Sequence, residues 1–382
     1  MKVMHCITGL NTGGAEAMLC KVVSRLPEHG VECRVVSLLP LGPMAGTLQQ
    51  MGVQVDSLGM KRGVPSPAAL WRFFRLIRRW KPDVVQTWLY HADLLGLLAA
   101  RMAGSVPVVW NIRCAYMDLS QYRRTTSLVL RLCSWLSRLP SAVLANSEEA
   151  RRFHRELGYS PQRFEVIPNG FDTALFRPDP EAPRRLRLEL GLEHANALIG
   201  LVARFDPMKD HATFLQAAGE LVRSHAEVRF VLCGDGIVWS NEKLAAMVRE
   251  NQLENRIFLL GRRNDIPQLT AGLDIAVCSS KGESFPNVVG EAMACGVPCA
   301  VTDVGDAASI IGDTGVVVPP EDVPALCQGM KSLLERGDAA RRELGHCARE
   351  RILSLYSLEK IVGLYYSLYE GVTGRTGESA PQ

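Results

Sequence analysis

The sequence has no C-x-x-C pair, no H-x-H or H-E-x-x-H, no G-x-S-x-G, and no apolar run of the about 18–20 residues that a bilayer span needs. These absences argue against a zinc site, a serine hydrolase and an integral membrane protein. The eleven cysteines are odd in number and scattered from Cys6 to Cys347. Reduced cytosolic thiols explain that spacing better than a disulfide framework. Glycine (33) and proline (21) are not enriched, which excludes low-complexity disorder for most of the chain. Residues 1–10 hold a single lysine and too short an apolar stretch for a signal peptide. The expected location is cytoplasmic, with the inner face of the cell membrane as a further possibility.

The 382 residues are 47% hydrophobic and 22% charged, in a length that fits two domains of about 100–200 residues each. Short β-type runs alternate with helix-period segments, which predicts parallel βαβ units and an α/β fold. In the first half, strands are predicted at residues 3–8, 31–38, 53–58, 83–87, 107–112, 141–145 and 164–167. Helices are predicted at 15–26, 68–80 and 92–102. Asn146-Ser147-Glu148-Glu149 reads as an N-cap followed by first-turn carboxylates. Periodicity stops over residues 168–183, where Pro168-Asn169-Gly170 and Pro178-Asp179-Pro180 read as a linker. Beyond it, strands are predicted at 198–203, 228–233, 257–260, 275–278, 299–301 and 315–318, with helices at 323–335, 339–353 and 358–369. This gives an N-terminal Rossmann-like domain over 1–175 and a C-terminal one over 176–355. A helix over 356–372, which could cross back to the N-terminal domain, and a polar tail over 373–382, expected to be disordered, follow. Ligands of doubly wound parallel sheets lie at the carboxyl ends of the strands, so the two domains are expected to face a central cleft.

The net charge of +3 conceals an asymmetry: residues 1–175 carry 21 Lys and Arg against 12 Asp and Glu, the remainder 22 against 28. Arg72, Arg75, Arg78, Arg79 and Lys81 fall in one helical stretch, and Arg123, Arg124, Arg131 and Arg138 in another. Trp71, Phe73, Phe74, Trp80 and Trp135 are interleaved with them. Such stretches are either solvated helix faces with core aromatics or a surface for anionic membrane or an anionic acceptor. No nucleic-acid motif accompanies the charge, so nucleic acid is not an expected partner.

Four segments could carry chemistry. The turn Gly9-Leu10-Asn11-Thr12-Gly13-Gly14-Ala15-Glu16 joins the first predicted strand to the first helix, where glycines admit a ligand and helix amides favour anionic oxygen. Its spacing matches neither the dinucleotide fingerprint nor a Walker loop, and a plain tight turn is the alternative. Arg204 and Lys209 follow the first strand of the second domain and could converge on one diphosphate if the intervening residues turn back. The segment Lys281-Gly282-Glu283-Ser284-Phe285-Pro286-Asn287-Val288-Val289-Gly290-Glu291 runs from a strand through a loop into a helix starting near Asn287. Amides around Phe285–Val288 can face a ligand at that helix end, and Glu291 can accept from two ribose hydroxyls; simple capping electrostatics is the alternative. His91 lies between a strand end and a helix, at the rim of the expected cleft. Gly234-Asp235-Gly236 and residues 262–266 are candidate wall segments.

Together these features resemble the retaining glycosyltransferases of family 4, which have the GT-B fold. The resemblance spans residues 1–369 and is strongest in the E-x7-E pattern of Glu283 and Glu291, continued by Ala292-Met293-Ala294-Cys295-Gly296-Val297-Pro298. The Gly-rich turn, the Arg-x4-Lys pair and the segment Val166-Ile167-Pro168-Asn169-Gly170-Phe171-Asp172 also match. The resemblance implies that Arg204 and Lys209 hold a nucleotide-sugar diphosphate. It implies that Glu283 contacts the donor sugar beside the backbone of Ser284, Phe285, Pro286 and Asn287, and that Glu291 takes the ribose. Gly13 and Gly14 would line the diphosphate or acceptor side, Gly234 the donor wall, and His91 would approach the transferred sugar. Asp210 departs from the pattern, which often has glycine after the lysine. The implied reaction is sugar transfer with retention, from a UDP-sugar in preference to a GDP-sugar, with no metal or other cofactor. The expected acceptor is a glycan or a lipid-linked molecule in cell-surface polysaccharide or glycolipid synthesis. A nucleotide-sugar epimerase on the same fold, or a non-catalytic nucleotide-sugar-binding partner, are the rival readings.

Overall fold

The computed structural model describes residues 1–62, 64, 66–115, 124–192 and 197–374. The chain divides into two compact units: Met1–Gly170 together with the residues from Leu358 onward, and Phe171–Ser357.

In the first unit seven strands form one parallel sheet: β1 (Lys2–Ile7), β2 (Glu32–Ser37), β3 (Gln54–Ser57), β4 (Val84–Trp88), β5 (Val108–Ile112), β6 (Ala142–Ala145) and β7 (Phe164–Val166). Their order is β3-β2-β1-β4-β5-β6-β7, and every pair is parallel. Every residue of β4, β5 and β6 is buried, because helices cover both faces; that is why these strands read as runs with little alternation. On one face Val22 and Val23 of helix Gly14–Arg25 and Tyr365 and Tyr369 of helix Leu358–Thr373 pack against Val3, Ile7 and Val84. On the other, Phe73, Ile77, Leu97, Leu130 and Cys133 bring helices Pro67–Trp80, Tyr90–Met102 and Arg124–Leu136 onto Met4, Cys6, Val85 and Trp110. Helix Pro67–Trp80 starts where the Ser66 hydroxyl accepts the Ala69 amide at 3.2 Å, with Pro67 in its first turn. It stops at Lys81, in the left-handed region (φ 50°), just before Pro82.

The second unit repeats the plan with six parallel strands: β8 (Leu198–Val202), β9 (Arg229–Cys233), β10 (Ile257–Leu259), β11 (Ile275–Cys278), β12 (Cys299–Thr302) and β13 (Val316–Val318). The order is β10-β9-β8-β11-β12-β13.

The unit boundary falls at Gly170/Phe171, not at 175/176, and the reason is burial. Phe171 is fully buried, stacks on Phe285 at 6.1 Å, and its amide donates to the Tyr356 carbonyl at 2.9 Å. Gly170 belongs to the other side, with Leu358 and Ile361 at 3.0 and 3.2 Å from where a Cβ would stand. The predicted linker is therefore built into both cores, and its last residues open the helix Ala182–Glu189. The second unit ends at Ser357, two residues past the expected 355. Helix Leu358–Thr373 belongs to the first unit, where the Tyr365 hydroxyl accepts Asn111 Nδ2 at 3.1 Å and the Tyr369 hydroxyl donates to Gln86. Arg123 and residues 375–382 of the expected tail lie outside the described residues, and Thr373, expected in that tail, is the last residue of helix Leu358–Thr373. Among the described residues no helix is long and apolar enough to cross a membrane.

Candidate active site

Each sheet reverses its strand order once, between β1 and β4 in the first unit and between β8 and β11 in the second. Connections leave such a pair toward opposite faces, so a crevice opens at the carboxyl ends of those strands. Arg204 and Lys209 follow β8, and Glu283 follows β11. Gly13 and Gly14 follow β1, and His91 follows β4. The expected residues thus sit at the switch point of their own sheet.

In the second unit Lys209 ends a short 3₁₀ turn, Pro207–Lys209, begun by Asp206, whose carboxylate accepts the Met208 amide at 2.9 Å. The Lys209 ammonium pairs with Glu283, and the same Glu283 oxygen accepts from the Ser280 hydroxyl at 2.9 Å. The side chains are only 22% and 15% exposed, so their attraction is screened less than between surface charges. Arg204 does not join them directly. It is 65% exposed and closes on Asp206 at 3.0 Å. Asp206 is the link between the two cations: burial alone would raise its pKa, but the Met208 amide, Arg204 and then Lys209 hold it below the ordinary value.

Asp210 explains itself through its backbone. Its φ of 47° and ψ of 55° lie in the left-handed region that favours glycine, and aspartate is among the few other residues that tolerate it. Its carboxylate caps helix His211–Leu221, accepting the Thr213 amide at 3.3 Å and the Thr213 hydroxyl at 2.6 Å. The loops after β8 and β11 are tied together: the Ser279 hydroxyl donates to the Lys209 carbonyl at 2.9 Å, and the Lys281 amide to that of Met208 at 2.9 Å.

The loop carrying Glu283 is braced from behind by residues that motif reasoning missed. Thr302 donates to the carbonyls of Cys278 (3.2 Å) and Ser280 (2.7 Å), and the Asp306 amide to that of Ser284 (3.1 Å). Gly305, with φ 57°, comes so close that a Cβ would stand 2.5 Å from the Glu283 carbonyl. A strand-end Thr followed by a Gly in a turn was the only sequence signal for this brace. The Phe285 ring turns into the core between Phe171 and Tyr356, leaving its backbone as the part that could meet a ligand. Pro286 is the N-cap and Asn287 the first residue of helix Asn287–Ala294. Glu291, one turn in, lines a narrow apolar crevice with Val202, Ile266 and Val288, which places the end of the 262–266 wall segment beside it. Gly234 (φ 152°) has a scaffold reason for being glycine: a Cβ would stand 2.2 Å from the Ala203 carbonyl, next to Arg204. His211 is 2% exposed, neither ring nitrogen has a partner among the described residues, and burial lowers its pKa to about 4.

In the first unit Gly13 is the extended N-cap of helix Gly14–Arg25. A Cβ there would stand 2.5 Å from a Glu16 carboxylate oxygen, so the glycine admits Glu16 to the positive helix end where a ligand anion was expected. His91 is the second residue of helix Tyr90–Met102 and not a residue ahead of it. The preceding Leu89 holds φ 73° and ψ 149°, a conformation costing about 1–3 kcal/mol outside glycine. The Ala92 and Asp93 amides fix it by donating to its carbonyl at 3.0 Å, and Asp93 in turn accepts from Thr87 at 2.5 Å. Burial, then Arg62, lowers the His91 pKa. No group of three or more metal-ligating side chains occurs among the described residues.

Residues 12–175 match the model of Glycosyltransferase Family 4, and residues 196–336 that of Glycosyl transferases group 1. The chain is 26% identical over 305 residues to the UDP-Gal:alpha-D-GlcNAc-diphosphoundecaprenol alpha-1,3-galactosyltransferase of Escherichia coli, covering 78% of this chain and 77% of that one. It is 27% identical over 322 residues to the 2-deoxystreptamine glucosyltransferase of Streptomyces kanamyceticus, covering 81% and 82%. The crystal structure of Anabaena HepE in complex with UDP aligns with a TM-score of 0.85 at 23% identity, over 97% of this chain and 100% of that one. Two parallel-sheet units in tandem and matched domains in both halves lead to one conclusion: the chain is a glycosyltransferase of family 4 with the GT-B fold.

Proposed function

We propose that the enzyme transfers a sugar from a UDP-sugar to a glycan or lipid-linked acceptor, with retention at the anomeric carbon and without a divalent metal or other cofactor, in the synthesis of cell-surface polysaccharide or glycolipid. The observation that carries this reading is the Lys209–Glu283–Ser280 cluster at the β8/β11 switch point. In the reaction the bond from the anomeric carbon to the diphosphate oxygen breaks and a bond to the acceptor oxygen forms. The acceptor's proton passes to the departing diphosphate. Negative charge grows on that diphosphate, and Lys209, with Arg204 behind Asp206, supplies fixed positive charge where it grows. Glu283, held by Ser280, takes a hydroxyl of the donor sugar beside the backbone of Ser284–Asn287, and Glu291 takes the ribose. His91 and the Gly13-Gly14 turn are assigned to the transferred sugar and the acceptor.

UDP is favoured over GDP because the E. coli relative is named for UDP-galactose and the Anabaena protein was solved with UDP and with UDP-glucose. The lipid-linked acceptor is likewise favoured by the diphosphoundecaprenol in the E. coli relative's name. A thermal-shift panel of nucleotide sugars tests the donor. A UDP-sugar at a hundred times its Kd adds about 2.7 kcal/mol to the native state, and stabilisation by GDP-sugars alone would overturn the base. Lys209→Ala and Glu283→Ala should each abolish transfer with an unchanged circular dichroism spectrum, and transfer by the native enzyme should persist in EDTA. Native turnover by both variants refutes the site; activity lost in EDTA and restored by magnesium or manganese refutes the metal-free reaction.

A further inference from the structure

One arginine of the first unit leaves water without an anion to meet. Arg113 is the first residue after β5, at the carboxyl end of the sheet and one strand from the β1/β4 switch point. The residue is half-buried, and three groups hold its guanidinium. Nη2 donates to Asn169 Oδ1, the ring of Trp88 lies 5.5 Å away, and the Tyr365 hydroxyl, which also accepts Asn111 Nδ2 at 3.1 Å, faces it. Trp88 and Tyr365 in turn stack on each other at 6.2 Å. Nη1 is buried and has no hydrogen-bond partner among the described residues.

Elsewhere in the chain, arginines that leave water do so against carboxylates. Arg34 meets Asp56 at 2.7 Å, Arg187 meets Asp274 at 2.5 Å, Arg263 takes Glu189 and Asp265, and Arg341 takes Asp338. Among the described residues Arg113 meets none: its partners are an amide oxygen, a hydroxyl and an indole ring, all neutral. Burial lowers its pKa, and only Tyr365 opposes that. A planar cation fixed in place by neutral groups, with a donor left over, suits an incoming oxyanion. Packing alone does not account for it, since an apolar side chain of similar size would fill the space without the cost of dehydrating a charge. Thr8 supports the same reading. It is the first residue after β1, at the same end of the sheet, and its buried hydroxyl likewise has no partner among the described residues.

We propose that Arg113 binds the acceptor through a phosphate, holding the diphosphate that joins the acceptor's sugar to its lipid. The inference rests on the lipid-linked acceptor proposed above and narrows it, because an uncharged glycan would leave the guanidinium unmatched. A diphosphate reaches the enzyme from two sources, the acceptor and the nucleotide sugar. The donor's is assigned to Lys209 and Arg204 of the other unit, so Arg113 stays available when the donor site is full. The same chemistry predicts a trade. Neutralising Arg113 removes an uncompensated buried charge, so the variant loses the anion and keeps or gains stability.

The test is calorimetric titration of the full chain with inorganic pyrophosphate, the probe for the acceptor's diphosphate, with and without saturating UDP. UDP titrated alone reports the donor site and should bind the native protein and Arg113→Gln equally. No UDP binding by the native protein would overturn the donor assignment and leave the pyrophosphate comparison standing. The UDP-loaded native protein should still bind pyrophosphate, and Arg113→Gln should bind it about 10- to 100-fold more weakly, the loss of one charge-assisted contact. Arg113→Lys keeps the charge without the planar fork and should fall between them. Thermal unfolding of Arg113→Gln should be no lower than native. Equal pyrophosphate affinity in the native and Gln proteins, or no pyrophosphate binding once UDP is bound, overturns the proposal. Weaker binding of UDP alone by Arg113→Gln would put the guanidinium on the donor and overturn it too. So does an Arg113→Gln protein that unfolds well below native while Arg113→Lys binds no more tightly than it, because the arginine is then a packing residue.

Discussion

Asp210 offers the sharpest test of how the loops after β8 and β11 are held, because two opposing terms meet at one residue. Its left-handed backbone (φ 47°) costs a residue with a Cβ about 1 kcal/mol relative to glycine. Its carboxylate repays that by capping helix His211–Leu221 and accepting the Thr213 hydroxyl at 2.6 Å. Asp210→Gly relieves the backbone, gives up the carboxylate's hydrogen bonds, and frees the unfolded chain by about 0.4–1 kcal/mol. The sum is a loss of about 1 kcal/mol. Asp210→Ala gives up the same hydrogen bonds and, without the short polar side chain that eases aspartate into this region, adds about 0.5–1 kcal/mol of backbone strain, so it should lose about 2 kcal/mol. Asp210→Asn, which tolerates the left-handed region and can still cap, should stay within about 0.5 kcal/mol of native. Urea unfolding followed by circular dichroism, with the transition of the second unit fitted separately, gives the order. The expected ranking is Asp, Asn, Gly, then Ala. An alanine variant as stable as the glycine variant would show that backbone conformation is not what restricts this position, and the account of why glycine suits it would fall.

Gly290→Ala should destabilise the second unit by about 1–2 kcal/mol despite improving helix propensity, because the new methyl would stand 2.1 Å from the buried Phe171 ring; native stability in a denaturant titration would refute that packing. His211 makes a pH prediction. Its pKa is about 4 in the folded state against 6.5 in the reference, so below pH 6.5 the unfolded chain binds the proton that the folded one refuses. Stability is therefore full above pH 6.5 and falls as pH drops toward 4, by about 2 kcal/mol at pH 5 from this residue alone. His211→Leu should flatten that slope in urea titrations at pH 7 and pH 5, and an unchanged slope would show that His211 is not the titrating group.

Much of the fold was legible because interior parallel strands have no polar face to interrupt them. β4, β6 and β8 stand out as β-branched and apolar runs, and the Gly-rich turn and the E-x7-E segment follow strands in sequence as they do in space. The boundary was not legible, since proline and glycine at 168–183 look like a flexible joint until Phe171 is seen stacked on Phe285. The site was legible in its motifs and silent in its supports. Lys209 and Glu283 lie 74 residues apart in sequence, and only the strand order β8-β11 makes them neighbours. Strand order depends on which loops cross over, a choice that no local pattern encodes. The charged surface shows the same limit from the other side. Composition located the arginines, yet could not say that Phe73 turns inward while Trp135 turns out. Helical phase relative to the sheet decides that, and it is set by Phe73, Ile77, Leu130 and Cys133 docking on β-strand residues distant in sequence. Residue chemistry named the candidate groups, and packing chose which of them turn inward and which stay on the surface.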